Sequence, residues 1–226
     1  FVDMSALKYT LGLLALLVVT ACAEEVSKIL LNFPQLHTRN EPLIVDDIAY
    51  VNEAERNADP CTSRGCMWPK SSDGRVYVPY VIANQYSTRE LEVIERGLQS
   101  FASFSCINFI KRTNQRDYLH IQSQNGCWSY VGRSGNAQVV SLSRSGCVYH
   151  GTTQHELLHA LGFNHEQTRS DRDNHIRVLL QNVQSGMEHN FNKIATLNQG
   201  TAYDYNSVMQ YHRLVTIVIP LSHQVC

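Results

Sequence analysis

Three histidines and one glutamate are the residues of this 226-residue chain whose types and spacing most clearly predict chemistry. His155 and His159 are four residues apart, so on a helix they share one face and can offer ring nitrogens to one ion. Gly162 permits a sharp backbone turn, which would return His165 as a third ligand. Three imidazoles around Zn²⁺ leave an open position for water, as in catalytic zinc sites, and Glu156 is placed to take a proton from that water. An ordinary amphipathic helix with surface histidines is the weaker interpretation.

Two further candidates follow in the run Tyr203–Tyr211. Met209 would give the histidine site a soft apolar floor that keeps water from the backs of the ligands. The hydroxyl of Tyr211 could donate to the oxyanion that forms when water attacks a carbonyl. Each would be an ordinary buried residue on its own, so both interpretations depend on the zinc motif.

The first 23 residues predict a secretory signal peptide, with Met4 as the expected start. Lys8 precedes the apolar run Leu11–Val19, and Ala21-Cys22-Ala23 has the small-residue pattern of a cleavage site. The run is too short for a spanning helix and no stop-transfer pattern follows, so we expect secretion and no membrane anchor. A formal net charge of −1 and 17% charged residues give no indication of nucleic-acid binding.

Secretion would place the six remaining cysteines in an oxidising compartment, where disulfides are the default. Metal binding by these thiols is the weaker interpretation, since no C-x-x-C pair is present. Spacing alone does not choose among the many possible pairings. The six are Cys61, Cys66, Cys106, Cys127, Cys147 and Cys226.

Residues 24–56 carry seven acidic side chains against three basic ones. We expect this acidic leader to be a pro-segment that covers its own catalytic domain, residues 57–226, although a solvated linker would have similar charges. A trypsin-like protease could cut after Arg56, before Asn57. Asp47 could take the place of water on the zinc and keep the enzyme latent, while a role in a turn or cap is the more common one for an aspartate.

Helix and strand patterns alternate only loosely, which favours an α+β fold. Ser87 and Glu90 form a capping box that opens a helix, and Thr152 or Thr153 is expected to cap the zinc helix. Pro79 favours an edge or end position for its strand. Arg169, Asp171, Arg172 and Asp173 are expected to form a salt-bridged loop, and Glu166 to be a surface carboxylate or an anchor. Strands are expected near 76–82, 107–112, 118–123, 127–131 and 138–142, and a short helix near 182–194.

The stretch from His155 through Asp173, together with Ser207-Val-Met-Gln-Tyr211, resembles the signature and the Met-turn of the astacin family of zinc endopeptidases. The resemblance implies a metzincin-like fold with a twisted N-terminal sheet, two long helices and a zinc cleft. It implies that His155, His159 and His165 hold one Zn²⁺ and that Glu156 is the general base. It also implies that Tyr211 is a fifth ligand that swings to stabilise the transition state, and that Asp47 caps the metal in the latent form.

The start of the mature region, Asn57–Cys61, Cys66 and Trp68–Gly74, is similar to the six-cysteine fish hatching enzymes of this family. The likeness implies egg-envelope glycoproteins as substrates. It also implies that the strand Gln138–Leu142 is the edge along which a substrate peptide aligns. Finally, it implies the pairings Cys61–Cys66 and Cys127–Cys147, and a bond from Cys106 to a cysteine near the C-terminus, for which Cys226 is the candidate.

Two departures from the family pattern affect these expectations. Position 210 is Gln where the family usually has His. Residues 212–226 resemble nothing in the family, which continues through the lower wall of the cleft. A truncated, catalytically weak product that acts at most as a binder is therefore an alternative, as is an astacin that acts on extracellular-matrix proteins.

Overall fold

A mixed sheet of seven strands forms the scaffold. The computed structural model describes residues 42–50 and 65–211, together with the backbone of 214–215 and 223–224. The strand order is β1-β2-β6-β7-β5-β3-β4, and the strands from 76 onwards appear where β-branched and aromatic residues predicted them. They are β1 Leu43–Val45, β2 Ile48–Tyr50, β3 Val76–Ile82, β4 Ile107–Lys111, β5 Tyr118–Gln122, β6 Cys127–Tyr130 and β7 Ala137–Leu142. Two further strands, β8 Leu214–Val215 and β9 His223–Gln224, pair with each other.

Within residues 65–211, β6 and β4 are the two edges of the sheet. β2 of the expected pro-segment pairs with β6. β2 runs parallel to β6, with Ile48 opposite Ser129 and Ala49 opposite Tyr130. The expectation that Gln138–Leu142 forms the edge is wrong, because β7 is hydrogen-bonded to β5 on one side and to β6 on the other. The expectation came from the family resemblance, whereas the neighbours of a strand are decided by how the whole sheet assembles.

Strand β3 is also interior, between β5 and β4, although Pro79 favoured an edge or an end. The position of Pro79 along β3 explains why an interior strand tolerates it. β4 pairs with β3 from Val76 to Tyr80, whereas β5 pairs only from Tyr80 to Ile82. Pro79 therefore has a paired neighbour only on the β4 side. Its missing N–H costs no ladder bond to β5, because the pairing with β5 begins one residue later.

Helix α1, Thr88–Ser100, begins at the predicted capping box. The Ser87 side chain accepts from the Glu90 N–H, and the Glu90 carboxylate accepts from the Ser87 N–H. The buried apolar residues of α1 pack on the sheet together with residues of the second helix. This core includes Val78, Ile94, Leu98, Leu119, Ile121, Val140, Leu142, Leu157 and Ala160.

Helix α2, His150–Leu161, carries the zinc motif. Its N-cap is Tyr149, which makes no side-chain cap bond, and Thr152 and Thr153 lie inside the helix, so the expected threonine cap is wrong. Thr153 instead donates its hydroxyl to the Tyr149 carbonyl and packs against Gly97 of α1. A Cβ on Gly97 would lie 2.6 Å from Thr153 Cγ2, so the two helices approach more closely than any larger residue would permit.

The segment from Glu166 to Tyr211 is irregular, with four short 3₁₀ helices. The expected helix near 182–194 is two separate turns, Leu180–Asn182 and Glu188–Phe191, because Gly186 lies between them at φ 91°. The charged loop is confirmed: Arg169 binds Asp171, Glu166 and the carbonyls of residues 201 and 202. No helix within the described ranges is long and apolar enough to cross a membrane.

The cysteines follow the expected pairing in part. Cys127 and Cys147 form a disulfide that joins the start of β6 to the loop before α2. Cys66 is disulfide-bonded, and its expected partner Cys61 lies outside the described residues. Cys106 has a free, exposed thiol. Cys226, the expected partner of Cys106, lies outside the described residues.

Candidate active site

The three histidines converge as the sequence predicted. His155 and His159 lie one turn apart on α2, with ring centroids 4.8 Å apart. The helix ends at Gly162, whose φ of 110° belongs to the left-handed region and whose N–H donates to the His159 carbonyl. That turn brings the His165 ring to 4.8 Å from His159 and 5.2 Å from His155.

The residues present fit a metal ion. The Nδ1 atoms of His155 and His159 lie 2.8 Å from the carbonyls of Val208 and Phe163, respectively. A carbonyl only accepts, so each Nδ1 donates and each Nε2 keeps its lone pair for a metal. His159 Nε2 is buried and has no hydrogen-bond partner among the described residues. One ligand atom from each histidine and from Asp47 can be chosen so that all four lie within 4.8 Å of one another.

The carboxylate of Asp47 lies at the centre of the histidine cluster. Its Oδ2 is 2.9 Å from His155 Nε2 and 3.2 Å from His165 Nε2, and its Oδ1 is 3.4 Å from His159 Nε2. The backbone holds it there, because Ser129 of β6 donates its N–H to the Asp47 carbonyl at 3.0 Å. Asp46 makes the preceding turn at φ 62°, a conformation that aspartate tolerates better than most residues.

Burial and the clustered charges shift the pKa values of these groups. Burial would raise the pKa of Asp47, but the interactions of its carboxylate with the surrounding histidines outweigh burial and hold that pKa well below 3.8. Burial lowers the pKa of His165 to about 4, although Asp47 opposes the shift. His165 therefore favours the neutral form that a metal ligand requires.

Glu156 lies beside the first histidine and is almost completely buried, with 1% of its surface exposed. Its Oε2 has no hydrogen-bond partner among the described residues. Burial raises its pKa well above 4.5, and the nearby carboxylates of Asp47 and Asp46 raise it further. A buried carboxylate with a raised pKa and a free oxygen suits proton transfer.

Met209 and Tyr211 lie on a turn that is tied to the third histidine. Met209 is buried, and its carbonyl accepts the N–H of Glu166 at 2.9 Å. The Tyr211 ring lies 4.7 Å from the His165 ring, and its buried hydroxyl has no partner among the described residues. The unexpected Gln210 is well accommodated, since its Oε1 accepts the Tyr203 hydroxyl and its Nε2 donates to the Tyr211 carbonyl.

A cleft of about 460 Å³ adjoins the cluster. Small residues form much of its wall, and the two aspartates of the β1–β2 turn also line it. Its lining residues are Asp46, Asp47, Gly126, Cys127, Gly151, Thr152, His155, Glu156 and Val208. Sequence reasoning missed the carbonyls of Val208 and Phe163, because a backbone acceptor leaves no signal in residue type. It also missed Asp46 as a residue that lines the cleft.

The site is that of a metal-dependent hydrolase of the metzincin type. It has two histidines on one helix, a third returned by a glycine turn, and a buried glutamate beside them. Residues 64–218 match the family model described as Astacin, a family of peptidases. The chain therefore belongs to the astacin family, whose peptidases use one zinc ion, and its histidine–aspartate cluster can hold such an ion.

Several relatives are hatching enzymes of the fish Oryzias latipes. High choriolytic enzyme 2 is 49% identical over 163 residues, which cover 72% of this chain and 58% of the relative. Low choriolytic enzyme is 45% identical over 192 residues, which cover 84% of this chain and 69% of the relative. The solved structure of high choriolytic enzyme 1 matches with a TM-score of 0.69 at 44% identity, over 75% of this chain and 84% of that one. The chain spans less than two thirds of the length of both high choriolytic enzymes.

Proposed function

We propose that this chain is a secreted zinc endopeptidase made in a latent form. The observation that carries the proposal is the convergence of three histidine Nε2 atoms beside the buried, unpartnered carboxylate oxygen of Glu156. Bound Zn²⁺ would polarise the scissile carbonyl and lower the pKa of a water molecule to about 7.

The chain's own residues would supply the remaining steps of peptide hydrolysis. Glu156 would take a proton from the attacking water and pass it to the leaving amine. Tyr211 would donate its hydroxyl to the oxyanion, since its ring already lies against the His165 ring. Once β2 is removed, the edge of β6 would align an extended substrate peptide by backbone hydrogen bonds.

Latency would result from two obstructions that belong to one segment. Asp47 contacts the histidines that would hold the zinc, and β2 covers the edge of β6. Removal of residues up to Arg56 by a trypsin-like protease would release both together. The cleavage site lies outside the described residues, so this step depends on the sequence pattern.

We propose egg-envelope glycoproteins as the substrates. The support is the identity of 45–49% to relatives that are named choriolytic enzymes. Secretion is supported by the signal-peptide pattern of the first 23 residues.

A comparison of the intact and trypsin-treated chain tests the proposal. Trypsin treatment should produce turnover of a fluorogenic peptide that chelator abolishes and zinc restores, and purified egg envelope should release soluble fragments. Glu156→Gln, treated identically, is the control for contaminating protease. Zinc binding without any turnover would refute the enzymatic proposal, and peptide turnover with an intact envelope would refute the substrate.

A further inference from the structure

The segment that follows the third histidine is joined to the turn at Met209 by two neighbouring hydrogen bonds. In the first, Glu166 donates its N–H to the Met209 carbonyl at 2.9 Å. In the second, Tyr211 donates its N–H to the side-chain oxygen Oε1 of Gln167 at 3.1 Å. The second bond depends on a side chain, so the type of residue at position 167 decides whether it exists.

Gln167 lies on a rigid support. Its side chain is completely buried, and its own carbonyl accepts from Arg172 at 2.9 Å. The next residue, Thr168, donates both its N–H and its hydroxyl to the His165 carbonyl, at 3.1 and 2.8 Å. The amide of Gln167 is therefore held at a fixed place relative to the third histidine.

The ring of Tyr211 has aromatic contacts on two sides, but its hydroxyl has no hydrogen-bond partner among the described residues. The ring lies 4.7 Å from the His165 ring and 5.7 Å from the Phe191 ring, at 62° and 89°. The hydroxyl is buried without a hydrogen-bond partner in the described part of the chain. These ring contacts permit sliding and rotation, whereas the bond to Gln167 fixes the backbone from which the ring projects.

We propose that Gln167 is a positioning residue for Tyr211. By holding the Tyr211 N–H, it sets the distance of the tyrosine hydroxyl from the site of the oxyanion without itself contacting the substrate. The proposal rests on the oxyanion role assigned to Tyr211 in the proposed function. The Gln167 Nε2 has no hydrogen-bond partner among the described residues, so the amide acts on Tyr211 through its oxygen alone.

Three substitutions at Gln167 separate that role from general packing. Gln167→Met keeps the length of the side chain and removes the acceptor. Gln167→Asn withdraws the acceptor by one methylene while keeping a polar group, which provides a test if the Met variant fails to fold. Gln167→Glu keeps an oxygen in place and replaces only the atom that has no partner, so it should rescue the rate.

The test is a double-mutant cycle with Tyr211→Phe, measured on the trypsin-activated, zinc-loaded chain with one fluorogenic peptide. We expect Gln167→Met or Gln167→Asn to lower kcat about tenfold, as for the loss of one buried hydrogen bond, with KM and zinc content unchanged. In the Tyr211→Phe background the same substitutions should lower kcat less than about twofold. Gln167→Glu should stay within about threefold of the parent.

Gln138 offers a matched control. It is also a buried glutamine, and it bonds the Gly132 carbonyl and the Ser134 N–H, within the sheet region. Gln138→Met should lower thermal stability and change kcat by the same factor in both backgrounds.

The outcomes distinguish the inference from the function on which it rests. If Tyr211→Phe is slow and Gln167→Met is neutral, or equally slow in both backgrounds, Gln167 does not act through Tyr211 and the inference is wrong. If Tyr211→Phe leaves kcat unchanged, the oxyanion role itself is wrong and the inference is overturned with it.

Discussion

Asp47→Asn should release the latent state of the uncut chain. The substitution keeps the shape of the side chain but removes the charge that faces the three histidine Nε2 atoms at 2.9–3.4 Å. The Asp47 side chain is 20% exposed, so the contact is largely shielded from solvent. In the zinc-loaded chain the carboxylate would be paired with the metal that the histidines hold, and breaking a buried charge pair costs about 3–5 kcal/mol.

We take the lower value, about 3 kcal/mol, because asparagine retains one oxygen and the β2–β6 pairing remains. At about 1.4 kcal/mol per factor of ten, the open population should rise roughly 100-fold. The apparent affinity for a ligand that needs the open site should rise by the same factor, since affinity scales with the competent fraction.

The assay is the dissociation constant of a hydroxamate for the intact, zinc-loaded chain, measured by calorimetry. Glu156→Gln is present throughout so that the chain does not cut itself. Asp46→Asn is the matched control, because it lies 4.0 Å from His165 Nδ1, beyond hydrogen-bond distance, and asparagine tolerates its turn conformation. Equal dissociation constants for the Asp47→Asn chain and its parent would refute the latch.

Three further predictions concern the base, the helix pair and the capping box. Glu156→Gln should keep one zinc per chain by metal analysis while peptide turnover falls at least about 10²-fold, the usual contribution of a general base; surviving turnover would reassign the role. Gly97→Ala should destabilise the fold by about 1–3 kcal/mol in urea unfolding, because the new Cβ meets Thr153 Cγ2 at 2.6 Å and Thr153 Cβ at 2.9 Å. Thr153→Ser should relieve only part of that cost, since it removes Cγ2 and keeps Cβ. Hydrogen bonds from Ser87 lower the pKa of Glu90 to about 2. The contribution of Glu90 to the free energy of unfolding should therefore be present above about pH 4.5 and disappear as the pH falls towards 2. A Glu90→Gln variant whose free energy of unfolding falls with acid in the same way would contradict this.

Several features could be read from the sequence because they depend on local geometry. Helical periodicity alone brings His155 and His159 to one face, and the glycine at 162 predicts the turn that returns His165. The capping box at Ser87 likewise needs only residues three apart.

Other predictions failed where the outcome depended on neighbours distant in sequence. The family resemblance placed Gln138–Leu142 at the edge, but β7 is paired on both sides. A threonine before the histidines could not show whether it caps the helix or packs against Gly97.

The sequence by itself determined the histidine cluster, the glutamate beside it and the family, because a metal motif is encoded in residue type and short spacing. The tertiary structure decided the rest of the site. The carbonyls that orient His155 and His159 and the contact between Gln167 and Tyr211 are examples. So is the approach of Asp47, which reaches His155 from 108 positions away. Each depends on where distant segments of backbone come together, and backbone groups are the same in every residue type.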